Sequence, residues 1–405
     1  MRVAVIGGGA AGITAAIFAA SNGAKVVLLE RTGDGGRKIV ISGGGRCNIL
    51  PRELDEARFV TDSSRHIVRN VLRSWPLREQ IVFFEEEASI PLITEDESGK
   101  LFPRSESGRD VRDRLFALAR DRGVTIRFHA HVKRLAPRDH TWLVELDQDT
   151  PVQADAVVVA TGGLSVPATG SDGFGLAAAA DLGHTVHQTY AALTPILGGF
   201  QGSEQLSGVS LRARMTATAG SFQASSAGGF LFTHRGYSGP AVLDVSHVIT
   251  RSRANGSDAA RLTVAWGDVG ERDWEDALKP SGTKTVHTAI SRYIPNRAAA
   301  ALLLNAGLDP STPLAHLKRD DRRRVIDALI RGDLPWTGDD GYKKAEVTGG
   351  GVALDEVNAA TMESRIHPGL YLCGEMLDAF GPIGGYNFFW AWATGRAAGM
   401  NAALR

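Results

Sequence analysis

The sequence has only two cysteines, Cys47 and Cys373, in 405 residues, and neither CxxC nor CxxxxC occurs. A disulfide framework and a sequence-local dithiol centre are both excluded, and the low count agrees with a reducing compartment. Charge of one sign is also missing. The 45 basic and 45 acidic residues cancel, so nothing steers the whole chain towards nucleic acid or an anionic membrane. The basic run Lys318 to Arg324 is interrupted by Asp320 and Asp321 and reads as a solvated helix face. No apolar run reaches the roughly 20 residues that span a bilayer, and Met1 leads almost at once into an apolar strand, without the regions of an export signal. A cytoplasmic protein is expected, with neither nucleic acid nor membrane as partner. The 11 histidines include no HExxH or comparable spacing, so no metal site is expected.

Glycine is what the chain has in quantity, 47 residues clustered in GG and GGG blocks. The first cluster organises the rest. An apolar run from Arg2 to Ile6 is followed by Gly7-Gly8-Gly9-Ala10-Ala11-Gly12, an apolar-periodic segment to Asn22, a second apolar run from Lys25 to Leu29, and then Glu30. This is strand, glycine turn, helix, strand, acid, the context that a dinucleotide fingerprint requires. Gly7 permits the tight turn, Gly9 lets backbone approach a pyrophosphate, and Gly12 lets helix and strand pack closely. Glu30 can accept hydrogen bonds from a ribose, and the N–H groups at Ala10 and Ala11 open a helix N-terminus towards the diphosphate.

A second glycine-rich stretch follows at once, Gly35-Gly36-Arg37-Lys38 and then Ser42-Gly43-Gly44-Gly45-Arg46-Cys47-Asn48. Its cations suit a chain wrapped round the middle of an extended cofactor. Helices are expected over Ser63–Leu72, Leu77–Ala88 and Gly108–Arg122, and strands over Val124–Phe128, His131–Leu135 and Thr141–Leu146, forming an antiparallel meander. Asp155 to Ala160 reads as a buried parallel strand ending in Thr161-Gly162, which returns the chain to the first sheet with its carboxyl end over the ligand crevice. The pattern predicts a β-rich domain at 185–270 and a helical one at 271–340, inserted into a discontinuous domain of 1–184 and 341–405. The last segment brings a strand to Cys373, Gly374-Glu375, then Gly384-Gly385-Tyr386-Asn387 opening a long helix.

One dinucleotide fold closed by a C-terminal strand–glycine–helix unit is what FAD needs and NAD does not. FAD extends its ring system beyond the sheet, and a second helix N-terminus there stabilises charge on the reduced flavin. Tyr386, Asn387 and the N–H groups of the following turn stand where that is required. No second GxGxxG–helix–acid unit occurs, which argues against tight, ordered NAD(P)H binding but leaves NAD(P)H open as a transient electron donor.

The blocks GRKIVISGGGRCN at 36–48, FTHRGYSGP at 232–240 and the stretch from EVTGGG to GRAAG at 346–399 resemble the HI0933-like (YhiN/BaiN) flavoprotein family, which includes aminoacetone oxidase-type members. The resemblance covers essentially the whole chain. It implies an α/β fold: a Rossmann-like FAD-binding domain of glutathione-reductase-like two-part topology, with inserted β-rich and helical domains and non-covalent FAD. By position, Gly7, Gly9 and Gly12 would meet the pyrophosphate and Glu30 the ribose. Arg37, Lys38, Gly44, Gly45, Arg46 and Cys47 lie in the block lining the diphosphate and flavin, and Val132 resembles the residue whose backbone meets adenine. Gly374-Glu375 would reach the ribityl chain and Gly385 to Asn387 the pyrimidine edge, with Gly384 also among the cofactor-binding residues. The sequence departs from the pattern at Phe389 and across Ala379 to Ile383, near the implied flavin pocket, so the resemblance does not carry a substrate class.

Several residues admit two readings. Arg46 beside Cys47 lowers a thiol pKa, so Cys47 is a reactive or flavin-linked thiol or a packing residue. His234, near Tyr237, could face the flavin from the insert or be an ordinary loop histidine. Trp390 and Trp392, two apart, cannot share a helix face, so at most one lines a pocket. The expected activity is FAD-dependent hydride exchange with a small amine or unsaturated carbonyl compound. The alternative is a structural or sensing flavin, with a macromolecular partner on the inserted domains.

Overall fold

The computed structural model describes residues 1–96, 99–256 and 260–405. The chain folds as two compact units, Met1–Thr189 with Val347–Arg405, and Tyr190–Glu346. In the first unit, β1 (Arg2–Ile6), β2 (Lys25–Leu29), β3 (Thr125–Arg127), β4 (Ala156–Val159) and β5 (Leu370–Leu372) form a parallel sheet in the order β5-β4-β1-β2-β3. The register places Val3 beside Ala156, Val5 beside Leu28 and Val158 beside Tyr371. Every residue of β4 is buried, as the continuous apolar run Ala156–Val159 demands of a strand covered on both faces. The helix after β1, α1 (Ala10–Ser21), and the C-terminal helix, α3 (Tyr386–Leu404), pack against this sheet and each other.

One strand assignment changes. The run at 124–128 is not part of the antiparallel meander but β3, paired in parallel with β2 through Leu28 and Ile126. The meander consists of Val132–Arg138, Thr141–Leu146 and Val152–Ala154. An edge strand of a parallel sheet is half exposed, as Thr125 and Arg127 are here, so it alternates like an antiparallel one and the period does not reveal its partner. The helix expected over 77–88 is α-helical from Leu77 to Val82 and then widens to a π-turn over Phe83–Glu87.

The second unit is built on a seven-stranded sheet whose long central strands are Ser210–Ala219 and Phe222–Phe232. Phe230, Phe232, Tyr237 and Trp266 interlock on it. The helices Pro240–Ala254, Asn296–Asn305 and Arg319–Arg331 share a single core with that sheet. His247 on the first of them is buried, and desolvation followed by the charge of Arg251 pushes it down from 6.5 to about 4. It is therefore neutral in the fold, whereas the unfolded chain binds a proton near 6.5. Its stabilising contribution is present above that value and is lost as pH falls towards 4. The loss is on the order of 3 kcal/mol. Denaturant titrations at a series of pH values should show it, and His247→Leu should flatten the slope between pH 6.5 and 4.

Candidate functional site

The glycine turn after β1 is shaped by contacts that exclude side chains. Gly7 has φ 98° and donates its N–H to Leu29 O at 2.8 Å. A Cβ on Gly12 would overlap Gly7 O and lie 3.2 Å from Ala160 Cβ, so bare backbone brings α1 onto the sheet. Gly9, the residue before α1, has nothing within 4 Å of a Cβ position. No side chain caps the helix there, and no acid stands in its first turn. The leading N–H groups of α1 thus lack a side-chain cap and an acid within the helix, as an anion site at a helix N-terminus requires.

Glu30 closes one side of this turn. Its Oε2 accepts from Gly8 N at 2.7 Å, and its Oε1 accepts from Thr32 N and Thr32 Oγ1 at 2.7 and 2.6 Å. A carboxylate has about four lone-pair positions, so one on Oε2 stays open for a hydroxyl. The chain from β3 runs alongside. Glu30 N donates to Arg127 O and Ala130 N to Glu30 O, both at 2.9 Å, and two residues on, Val132 begins the antiparallel sheet at a register shift.

Gly36, at φ 58°, starts α2 (Arg37–Ile41) and donates its N–H to Gly8 O at 2.9 Å, tying the second glycine stretch to the first. Gly43, Gly44 and Gly45 then take φ 56, 69 and 92° in succession. Space beside Gly44 is open and beside Gly45 nearly so. Arg37 turns to Asp34 at 2.7 Å. Arg46 stacks over Phe102 at 4.1 Å and pairs with Glu95 at 2.9 Å.

Lys38 enters a polar knot at the carboxyl ends of β4 and β5. Its Nζ donates to Glu375 Oε2 at 2.5 Å and to Ser165 Oγ at 2.6 Å. Glu375 Oε1 accepts from Ser165 Oγ at 2.5 Å, Thr348 N at 3.1 Å and Thr348 Oγ1 at 3.0 Å. The pair is largely shielded, with side chains 25% and 17% exposed. Gly374 abuts the first turn of α1, where a Cβ would lie 2.8 Å from Ala11 Cβ, so the knot borders the N-terminal turn of α1. Thr161 Oγ1, at the end of β4, is buried without a partner among the described residues.

At α3, Gly384 and Gly385 take φ 110 and 93°. A Cβ on Gly385 would lie 2.6 Å from Pro51 N, so residues 50–51 run flush against the helix start. With its amide oriented to satisfy both neighbours, Asn48 accepts from Gly385 N at 2.9 Å and donates to Leu50 O at 3.2 Å.

A profile of the HI0933-like protein Rossmann domain matches residues 1–401. This chain belongs to the HI0933-like family. It is 33% identical over 415 residues to the 3-dehydro-bile acid delta(4,6)-reductase of Clostridium scindens, covering 100% of this chain and 99% of that protein. It is 30% identical over 400 residues to the ribosomal RNA dihydrouridine synthase of Escherichia coli, covering 98% and 96%. Among solved structures, the 3-ketosteroid-delta4-(5alpha)-dehydrogenase of Rhodococcus jostii RHA1 superposes with a TM-score of 0.52 over 100% of this chain and 96% of that one, at 16% identity, a likeness of fold.

In this HI0933-like chain several expected roles change. Cys47 has φ 64° and no exposed surface. Desolvation pushes its thiol up to about 12, which favours the packing role of the two readings that the sequence left open. Tyr386 points into the fold, its hydroxyl accepting from Asp55 N and donating to Glu53 O, both at 3.3 Å. Asn387 clamps the loop before α3, accepting from Gly381 N and donating to Gly381 O, both at 2.9 Å. Both side chains brace the site instead of presenting reactive groups. Trp390 and Trp392 are both buried, donating to Gly374 O and Ile49 O at 3.1 Å.

In the second unit, Tyr237 lies in the aromatic core with its hydroxyl on Pro335 O at 3.0 Å, and burial raises its pKa. That leaves it no free hydroxyl for catalysis. His234 keeps an exposed ring on a 360 Å³ cleft lined also by Gln201, Glu204 and Arg235. Sequence reading missed Thr348, Ser165, Asn48 and Asp378. Asp378 is 2% exposed and accepts from Thr61 Oγ1, Asp62 N, Ser63 N and Ser63 Oγ at 2.8–3.0 Å. Asn48, Thr348 and Asp378 lie inside the blocks that carry the family resemblance, but no local pattern singles them out, because Gly385, Glu375 and Ser63, the partners that define their roles, lie in other segments. Among the described residues, no helix is long and apolar enough to cross a membrane, and no group of three or more His, Cys, Asp or Glu side chains could hold a metal.

Proposed function

We propose that this chain binds FAD non-covalently and is an oxidoreductase that saturates a carbon–carbon double bond conjugated to a carbonyl group. The observation that carries the reading is the turn at 7–12: an uncapped α1 N-terminus beside a carboxylate held by Gly8 N and Thr32, with one acceptor position left open. Those are the donors and the acceptor that a dinucleotide's diphosphate and ribose require. Thr161 Oγ1, buried without a partner among the described residues, adds a polar atom that a bound group would satisfy.

The residues would divide the cofactor between them. The N–H groups at Ala10, Ala11 and Gly12 face the diphosphate, Glu30 the ribose, and the backbone near Val132 the adenine. Lys38 and Glu375 hold the central part, with Arg37 and the turn at Gly44, Gly45, Arg46 and Cys47 beside it. Thr161, Gly162 and Gly374 supply bare backbone at the strand ends, and Gly384 to Asn387 present a helix N-terminus to the pyrimidine edge. FAD, when bound, supplies hydride chemistry at N5, with NAD(P)H as a transient electron donor. A delta(4,6)-reductase and a dihydrouridine synthase both saturate a carbon–carbon double bond, which supports an unsaturated carbonyl compound over an amine as substrate.

The second reading concerns the substrate's size. Ribosomal RNA figures in the names of two relatives, so a uracil base in RNA is the alternative to a small molecule. The test is anaerobic reduction of the FAD-loaded protein by NADPH, followed by either 4-androstene-3,17-dione or a ribosomal RNA transcript. Reoxidation by the enone is the expected outcome. Reoxidation by the transcript alone would transfer the assignment to RNA, and a chain that takes up no FAD would end the reading.

A further inference from the structure

We infer that Asn48 is a positioning residue that sets the charge environment at the start of α3, and thereby the reduction potential of the bound flavin. The inference rests on the FAD reading above, and it gives a specific role to the last residue of the second glycine-rich stretch. Asn48 is 8% exposed and spans two segments of the proposed site, accepting from Gly385 N at 2.9 Å and donating to Leu50 O at 3.2 Å. It lies three residues after the turn of Gly43, Gly44 and Gly45, where a Cβ on Gly43 would lie 3.1 Å from Asn48 N and the space beside Gly44 is open. One amide thus fixes that turn against the helix that ends the site.

The amide is the group the two partners require. A carboxylate could still accept from Gly385 N but would face Leu50 O with a second acceptor. It would also set a negative charge at a helix N-terminus whose first turn contains no acid. Reduced flavin is anionic at its pyrimidine edge, so such a charge opposes reduction, whereas the unscreened helix dipole favours it. An alanine would leave Gly385 N and Leu50 O without this partner and loosen the turn, but it would add no charge.

The experiment compares wild type, Asn48→Asp and Asn48→Ala as full-length FAD-loaded proteins, reading the flavin midpoint potential by dye equilibration and FAD affinity by fluorescence quenching. Asn48→Asp should lower the potential and weaken FAD binding about tenfold, while Asn48→Ala weakens binding with a smaller change in potential. Equal potentials in all three would overturn the inference while leaving the FAD reading intact. Failure of wild type to bind FAD would overturn both. If Asn48→Asp does not fold, Asn48→Ser and Asn48→Ala decide the matter. Serine keeps an acceptor towards Gly385 N, so its potential should stay nearer wild type than that of alanine, and indistinguishable values would overturn the inference.

Discussion

A double substitution Gly395→Ala and Gly399→Ala is expected to lower the stability of the FAD-binding unit by about 4 kcal/mol and to abolish measurable FAD uptake. The two glycines lie one helical turn apart on α3, facing Ala11 and Ala15 of α1. A Cβ on Gly395 would overlap Ala11 O and lie 3.0 Å from its carbonyl carbon; on Gly399 it would overlap Ala15 O and lie 2.8 Å from that carbon. The atoms in the way are backbone, so no rotamer relieves the overlap and α3 must move off α1. Ala11 belongs to the first turn of α1, and displacement of the seam moves the N–H groups that face the diphosphate. Each substitution alone should cost about 2 kcal/mol. Urea unfolding of the FAD-free protein and flavin fluorescence titration measure the two effects. A double variant with wild-type midpoint and affinity would show that the helices are not held at this distance.

The second large effect is expected at the Lys38–Glu375 knot. Glu375→Ala should cost about 3 kcal/mol, because it leaves a largely shielded ammonium and the Thr348 and Ser165 donors without their common acceptor. Lys38→Met should cost a comparable amount by leaving the carboxylate without its cation. Replacing both, Lys38→Met with Glu375→Met, should cost clearly less than the sum, since removing a shielded pair together avoids an uncompensated charge. Thermal unfolding of the FAD-free variants gives the cycle. Additive losses would mean that the two side chains do not depend on each other in the folded protein.

Local patterns in the sequence identify much of this protein. The run Arg2–Ile6, the glycines at 7, 9 and 12 and the acid at 30 determine a strand, turn, helix and strand whatever follows them, because turn sterics and apolar period act over a few residues. Residues 156–159 could likewise be read as a buried parallel strand. The edge strand at 125–127 was less legible, since half-exposed strands alternate alike in parallel and antiparallel sheets. Cys47 shows the limit most clearly. Its neighbour Arg46 left an activated thiol open beside a packing role, and only burial, a property of the packed chain, governs the thiol's proton.

The glycine turns and the first strand–turn–helix–strand unit were therefore set by the sequence read on its own. Tertiary structure alone decided which side chains meet: Lys38 with Glu375, Asn48 with Gly385, Asp378 with Ser63, and Gly395 and Gly399 with α1. These partners are separated by some 300 residues or more along the chain. A hydrogen bond or a helix seam across that distance leaves no period or spacing in sequence. It exists only once the sheet has brought its strands into register and the two ends of the chain have packed on one core.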